Sequence, residues 1–207
     1  MRLSFQLALV ALLAIFAVCI WLGIRAQATS RDKGIVDQLT AEGVSCKFHR
    51  GRVTQVSISG RMFSETSLDL LLQLPTLTRV VAIDSPVHDQ TLVSLAKIEK
   101  LRELVLIDTQ ITDAGLAILS GLPNIEYLHL SGCPVTNEGL RHVAKLTSLT
   151  RLDLESIQVT DDGLRHLNTL HQLRDIYLAE LELSRIGLDT LQRDLPKTDI
   201  FFNLQRQ

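Results

Sequence analysis

From Val53 onward the hydrophobic positions repeat every 24 residues. Segments starting at Val53, Leu77, Leu101, Ile125, Leu149 and Leu173 read VTQVSISGRMF, LTRVVAIDSPV, LRELVLIDTQI, IEYLHLSGCPV, LTRLDLESIQV and LRDIYLAELEL. Apolar residues recur at unit positions 1, 4, 6 and 11. Between positions 3 and 7 polar and apolar residues alternate, which is the period of a strand with one covered face. The second half of the unit changes period. Thr112, Thr136, Thr160 and Ser184 stand where a helix N-cap is wanted, and Asp113, Glu138, Asp161 and Asp162 follow in the first turn. Carboxylates there are favoured by the positive end of the helix dipole. Gly115, Gly139, Gly163 and Gly187 come next, each just before an apolar residue, Leu116, Leu140, Leu164 or Leu188. Glycine inside a helix costs about 1 kcal/mol, so its recurrence predicts close packing of that turn against the neighbouring unit. Each unit is therefore expected to be a strand followed by a short helix. Stacking the units buries an aliphatic ladder that no single unit could bury. The predicted fold class is α/β: a solenoid with a parallel concave sheet and short convex helices.

The ends depart from the period, as the ends of a solenoid must. Residues 31–42, RDKGIVDQLTAE, predict a short helix with Ser30 as its N-cap. Val44, Cys46 and Phe48 alternate before HRGR, and Val53, Val56 and Ile58 resume after it, the pattern of a β-hairpin covering the first edge. At the other end LQRDLPKTDIFFN carries one residue more than LSGLPN before its proline. It reads as a degenerate unit in which Phe201 or Phe202 closes the core. The chain thus divides into residues 1–28, an N-terminal cap over 29–52, six repeats over 53–196 and a C-terminal cap over 197–207.

Residues 7–24, LALVALLAIFAVCIWLGI, form an uncharged run bounded by Arg2 and Arg25. At about 1.5 Å per residue such a helix reaches ~27 Å, close to the ~30 Å of a bilayer core, and Trp21 near its end suits the interface. The expectation is a single-span anchor. A cleaved signal sequence is the rival reading, because AQA at residues 26–28 fits a small-x-small cleavage site and would make the chain secreted. Against cleavage, the apolar run exceeds the usual signal core and its basic lead-in is one arginine. Arg25, Arg31 and Lys33 after the span favour a cytoplasmic repeat domain, while the cleavage pattern favours the opposite side, so the side stays open.

Composition sharpens this picture at three points. Hydrophobic residues make up 46% of the chain but aromatics only 4%, so the core must be built from Leu, Ile and Val. The formal charge is −2, and outside residues 1–28 there are 19 basic against 23 acidic residues, a balance that disfavours a nucleic-acid binder. Of the three cysteines, Cys19 lies in the apolar run, and Cys46 and Cys133 fall about four units apart. That separation exceeds the ~7 Å Cα limit of a disulfide, so no bridge is expected.

Candidate chemistry concentrates on the strand positions that face away from the ladder. Position 3 reads Gln55, Arg79, Glu103, Tyr127, Arg151, Asp175, and position 5 reads Ser57, Val81, Val105, His129, Asp153, Tyr177. Both tyrosines of the chain fall on this face, and Tyr and Arg are common interface anchors. The expected partner-binding set is Arg79, Glu103, Tyr127, His129, Arg151, Asp153, Asp175 and Tyr177. A catalytic reading of Ser131, His129 and Asp153 is rejected: the hydroxyl would stand on an open sheet without oxyanion donors, about 6.7 Å from the histidine at Cα. A metal reading of His129 with Cys133, or of His142 with His166, lacks converging carboxylates. No catalytic residue, metal, cofactor or small-molecule substrate is expected.

The unit matches the leucine-rich-repeat pattern L-x-x-L-x-L-x-x-N/C-x-L. Cys133, Val135, Thr136, Asn137, Gly139 and Leu140 resemble the tail x-C-x-(V/I)-T-(D/N)-x-G-L of the cysteine-containing class of leucine-rich repeat, known from F-box ubiquitin-ligase adaptors. The match departs from that class in its 24-residue length, against about 26, and in keeping the cysteine in one unit only. No F-box segment precedes the repeats. The layout of anchor, GIVDQLTAEGVSCKFHRG cap and TDxGL units is similar to small membrane-anchored bacterial leucine-rich-repeat proteins. The resemblance implies a non-catalytic scaffold that binds an unidentified protein partner on its concave face. A substrate-recognition adaptor of a larger enzyme complex and a structural protein of the cell envelope are the alternatives.

Overall fold

The computed structural model describes residues 30–60, 63–122 and 124–202. The segment expected to span the membrane lies outside them. No helix among the described residues is long and apolar enough to cross a membrane.

The strands are β1 (Ser45–His49), β2 (Arg52–Ser59), β3 (Arg79–Ile83), β4 (Glu103–Ile107), β5 (Tyr127–Ser131), β6 (Arg151–Glu155), β7 (Asp175–Ala179) and β8 (Asp199–Phe202). They form one sheet in sequence order. β1 and β2 pair antiparallel through a turn in which Arg50 and Gly51 both have positive φ, 50° and 76°, the geometry of a tight primed hairpin turn. Every later pair is parallel. The register runs Gln55, Arg79, Glu103, Tyr127, Arg151, Asp175, Asp199, a step of 24 residues without a slip. Equal unit length is what produces this: each crossover returns the chain to the same height on the next strand.

Helices α2 (Glu65–Leu72), α3 (Asp89–Leu95), α4 (Asp113–Leu119), α5 (Asn137–Val143), α6 (Asp161–Leu164) and α7 (Arg185–Asp194) fill the crossovers, with a 3-10 turn over Arg165–Thr169 completing the unit of α6. Helix α1 (Ser30–Ala41) precedes the hairpin. Ser30, expected as its N-cap, is already helical. The cap is tied to the sheet by Asp32, which is 1% exposed and lies 3.1 Å from Arg52 Nε while accepting from the Val53 N–H. Glu42 binds Ser64 and Ser67 at the start of α2, and these hydroxyls hold its carboxyl below the ordinary range.

The core is the ladder itself. Position 4 contributes Val56, Val80, Leu104, Leu128, Leu152 and Ile176, all 0% exposed. Position 6 and the helix positions 16 and 19 close over it, for example Leu106 with Leu116 and Leu119. Just past the strand, position 8 turns the chain out of the sheet. Gly60, Asp84, Asp108, Gly132, Ser156 and Glu180 all take positive φ there, between 43° and 74°. The N–H groups of Asp84, Asp108, Gly132 and Ser156 then reach the carbonyl ending the next strand, at 2.9–3.2 Å. Position 9 points back inward as a buried column of Ser85, Thr109, Cys133, Ile157 and Leu181. Cys133 is 3% exposed, with its Sγ 3.3 Å from Thr109 Oγ1. It is a packing residue of that column. Cys46 is likewise buried, and burial pushes its thiol up to about 11.

The acidic residue opening α3, α4 and α6 has a role that its position beside a helix dipole does not reveal. Asp113 accepts from the N–H and Oγ1 of Thr136 in the next unit, at 2.9 and 2.6 Å. Asp89 does the same for Thr112, and Asp161 for Ser184. Asn137 replaces the carboxylate in one unit: its Oδ1 takes the Thr160 N–H while its Nδ2 donates to Thr160 Oγ1, both at 2.9 Å. The difference shows in the caps. Thr112 and Thr136 give their proton to an aspartate and accept from Ala114 and Glu138 N–H, whereas Thr160 accepts from the amide and makes no cap bond. The recurrent glycine makes room for this link. A Cβ on Gly115, Gly139, Gly163 or Gly187 would lie 2.1–2.4 Å from the linking oxygen of the preceding unit.

The C-terminal end differs from expectation. Phe201 and Phe202 are 45% and 41% exposed and do not close the core. The extra residue before Pro196 is absorbed by the longer α7, so the 24-residue step survives and β8 adds to the sheet in register. Ile200 is the residue that packs against the core there.

Candidate functional site

The sheet presents positions 3, 5 and 7 on the face opposite the ladder, because positions 4 and 6 are buried. Seven of the eight expected residues meet in contacts on this face. Arg79 pairs with Glu103 through Nη1 and Oε2. Asp153 is the centre of the second group and is only 7% exposed. Arg151 grips it with two bonds, Nε to Oδ1 at 3.0 Å and Nη2 to Oδ2 at 2.9 Å. The Tyr127 hydroxyl donates to Oδ2 at 2.8 Å. The Arg151 guanidinium lies between two rings, 5.0 Å from the Tyr127 centroid and 4.5 Å from that of Tyr177. Arg79 approaches the Tyr127 ring from the other side at 5.7 Å. Asp175 holds its register place between Arg151 and Asp199 and makes no ion pair among the described residues.

Burial and the Asp153 bond push the Tyr127 hydroxyl up to about 12, so it remains a donor across the physiological range. The bidentate bond to Asp153 raises Arg151 in turn. Burial lowers the pKa of His129, with Asp153 and Glu155 opposing and Arg151 adding to the lowering. Its Nδ1 is 3.4 Å from the Tyr127 hydroxyl and 3.8 Å from Asp153 Oδ2. The second distance is too long for a hydrogen bond. At that distance the carboxylate does not hold the imidazole by a hydrogen bond, the orientation a catalytic base needs. Among the described residues no three His, Cys, Asp or Glu side chains gather as a metal site. His142 and His166 line a shallow depression between helices with Arg141, Lys145 and Arg165, a cationic setting for a cation ligand.

Among the residues of this face that sequence reasoning left out of the expected set, three are Phe201, Ile83 and Ile107. Phe201 stacks on Tyr177 with centroids 4.5 Å apart and planes at 11°. Ile83 and Ile107 stand at position 7, in register with each other and beside the Val81–Val105 pair at position 5. Ile83 is 40% exposed. Strand alternation alone would have found both isoleucines, since position 7 faces the same way as 3 and 5. The face therefore has two halves: an aliphatic one on β3 and β4, and an aromatic and charged one from β5 to β8.

Residues 121–144 match the family model described as Leucine Rich repeat. No curated protein matches the sequence. Among solved structures the chain is similar to an internalin (inlF) from Listeria monocytogenes, at 18% identity and TM-score 0.48 over 73% of this chain and 48% of that one. It is also similar to an internalin C2 (inlC2) from the same organism, at 16% identity and TM-score 0.49 over 82% of this chain and 92% of that one. The chain thus spans about half the length of the first of these structures.

Proposed function

We propose that this leucine-rich-repeat protein is a non-catalytic scaffold, tethered to a membrane by residues 7–24, that holds a protein partner on the open face of its sheet. The observation that carries the reading is the row Tyr127, Arg151, Tyr177, Phe201. Its side chains are the types that dominate interface energetics, and they are already ordered. Arg151 is fixed by Asp153 and sandwiched between two rings, and Tyr177 is stacked on Phe201. A partner meeting such a row loses little side-chain entropy on docking. Tethering is supported by the uncharged 18-residue run and its flanking arginines.

One experiment addresses both parts. A photo-crosslinking residue is placed at position 107 on the open face, or at position 168 on the exposed helix side, of the full chain in native membranes. Position 107 is expected to give a discrete adduct of higher mass that stays with the membranes through an alkaline wash, and position 168 none. Equal adducts at both positions would defeat the open-face reading. An adduct released by alkali would defeat the tether and leave the face standing.

A further inference from the structure

The charge on the open face is lopsided. Positions 3, 5 and 7 of the face and position 8 of the turn row that borders it at the strand ends carry, from the Leu77 unit to Asp199, eight carboxylates against two arginines, a formal −6 in a chain whose total is −2. Both arginines are spent internally, Arg79 on Glu103 and Arg151 on Asp153. Asp84, Asp108, Glu155, Asp175, Glu180 and Asp199 remain without an ion pair among the described residues. They stand in rows one strand apart and do not converge, so they present a field along the face and not a single ion's cage. A second, independent feature lies within this field. Ile83, 40% exposed, and the half-buried Ile107 form an aliphatic floor in register beside the buried Val81–Val105 pair, and Asp84 and Asp108 directly follow the two isoleucines.

Resting on the open-face reading, we propose that the partner docks through a cationic segment in which an apolar side chain is followed by Lys or Arg. The spacing follows from the sheet. Ile107 and Glu155 occupy the same position two strands apart, or ~9.6 Å at about 4.8 Å per strand. A segment in the polyproline II conformation running across the strands, with about 3.1 Å per residue and three residues per turn, covers that in three residues and returns the third side chain to the same face. Its apolar residue sits on the isoleucines, and a lysine three residues on meets Glu155 with Glu180 beyond. The charge speeds encounter and sets specificity, and the aliphatic floor supplies burial. The same field repels acidic peptides and nucleic acid.

The test uses fluorescein-labelled dodecapeptides carrying Leu with Lys three residues on, in a Ser/Gly background, and an otherwise identical set with Glu for Lys. Binding to the full chain in detergent is followed by anisotropy at low and at physiological ionic strength. The Lys peptide is expected to bind, more weakly as salt rises, and the Glu peptide not to bind. Asp84→Asn/Asp108→Asn/Glu155→Gln is expected to weaken the Lys peptide roughly tenfold and to flatten its salt dependence. Ile83→Ser/Ile107→Ser is expected to weaken it with the salt dependence kept. Glu138→Gln/Asp162→Gln on the helix side is expected to change nothing. Equal binding of Lys and Glu peptides, or equal loss in the helix-side variant, overturns the cationic class. If a crosslinked adduct still forms at position 107 in that case, the open face remains the partner surface and only its chemistry was misassigned.

Discussion

Gly139→Leu is expected to lower the melting temperature by ~10 °C, the largest effect of any single substitution away from the leucine ladder. Gly139 is not needed for an unusual backbone angle; it is needed because the space beside it is taken. A Cβ there would lie 2.3 Å from Asp113 Oδ1 and 2.9 Å from both Leu116 Cδ1 and Val135 Cγ1. A leucine must displace all three. Overpacking a core of this kind costs about 1–3 kcal/mol. Moving Asp113 adds the loss of its bonds to the Thr136 N–H and hydroxyl, and leaving buried partners unmet costs about 1–3 kcal/mol. The sum is about 3 kcal/mol, and each kcal/mol moves the transition of a domain this size by about 2–4 °C. Circular dichroism on heating reads the shift directly, and a melt equal to that of the unsubstituted chain would contradict the packing account.

The second large effect separates hydrogen bonding from charge. Asp113→Ala is expected to cost about 2–3 kcal/mol, since it orphans the Thr136 N–H and Oγ1 together. Asp113→Asn is expected to cost under about 1 kcal/mol. The molecule already contains the neutral version: Asn137 makes the same two-point link to Thr160 with an amide. What the site requires is an acceptor for the backbone N–H and a partner for the hydroxyl, and the exchange reverses the hydroxyl bond and puts the cap of α5 at risk, as the uncapped Thr160 shows. Urea denaturation of the two variants measures the difference. Equal loss in Ala and Asn would mean that the negative charge at the helix start is what matters, as a dipole argument alone would have it. The two devices are also one device. Because a side chain at 139 expels Asp113, Gly139→Ala and Asp113→Ala combined should cost less than the sum of the two singly.

These links show where the sequence could be read and where it could not. The unit length, the strand face and the buried positions are all statements about period, and the 24-residue step converts directly into register: Tyr127 beside Arg151, His129 beside Asp153. The inter-unit link is different in kind. Asp113 directly follows Thr112, so sequence proximity assigns it to its own helix, while its bonds go to Thr136 in the next unit. Only the joint recurrence of Thr, Asp or Asn, and Gly at fixed offsets marks the device, and that pattern has several readings until the units are stacked. At the C-terminal end a displaced proline suggested breakdown of the repeat. A longer α7 absorbs the displacement, which puts Phe201 on the open face against Tyr177 instead of in the core. On the face itself the polar and aromatic residues are legible because they carry chemistry. Ile83 and Ile107 are not, because an apolar residue in a strand reads as core although their position faces outward.

The same contrast explains why Asp153 belongs to the face but not to its outermost layer. Burying a carboxylate costs free energy unless its lone pairs are met. Here a bidentate guanidinium and a phenol meet them. The carboxylate therefore acts as the internal fastening of Arg151 and Tyr127, and in the proposed reading contact with a partner falls to the rings and to the unpaired carboxylates around them.

The central claim is that this ordered row of rings and guanidinium is the surface that binds. It is tested most directly by the affinity of the crosslinked partner, once isolated, for the full chain and for Tyr127→Ala/Tyr177→Ala, with Tyr127→Phe as the variant that keeps the ring. Two anchors of about 2 kcal/mol each correspond to a loss on the order of 1,000-fold, and the account predicts that loss in the double variant with most of the affinity kept by Tyr127→Phe. An unchanged dissociation constant in the double variant would contradict it.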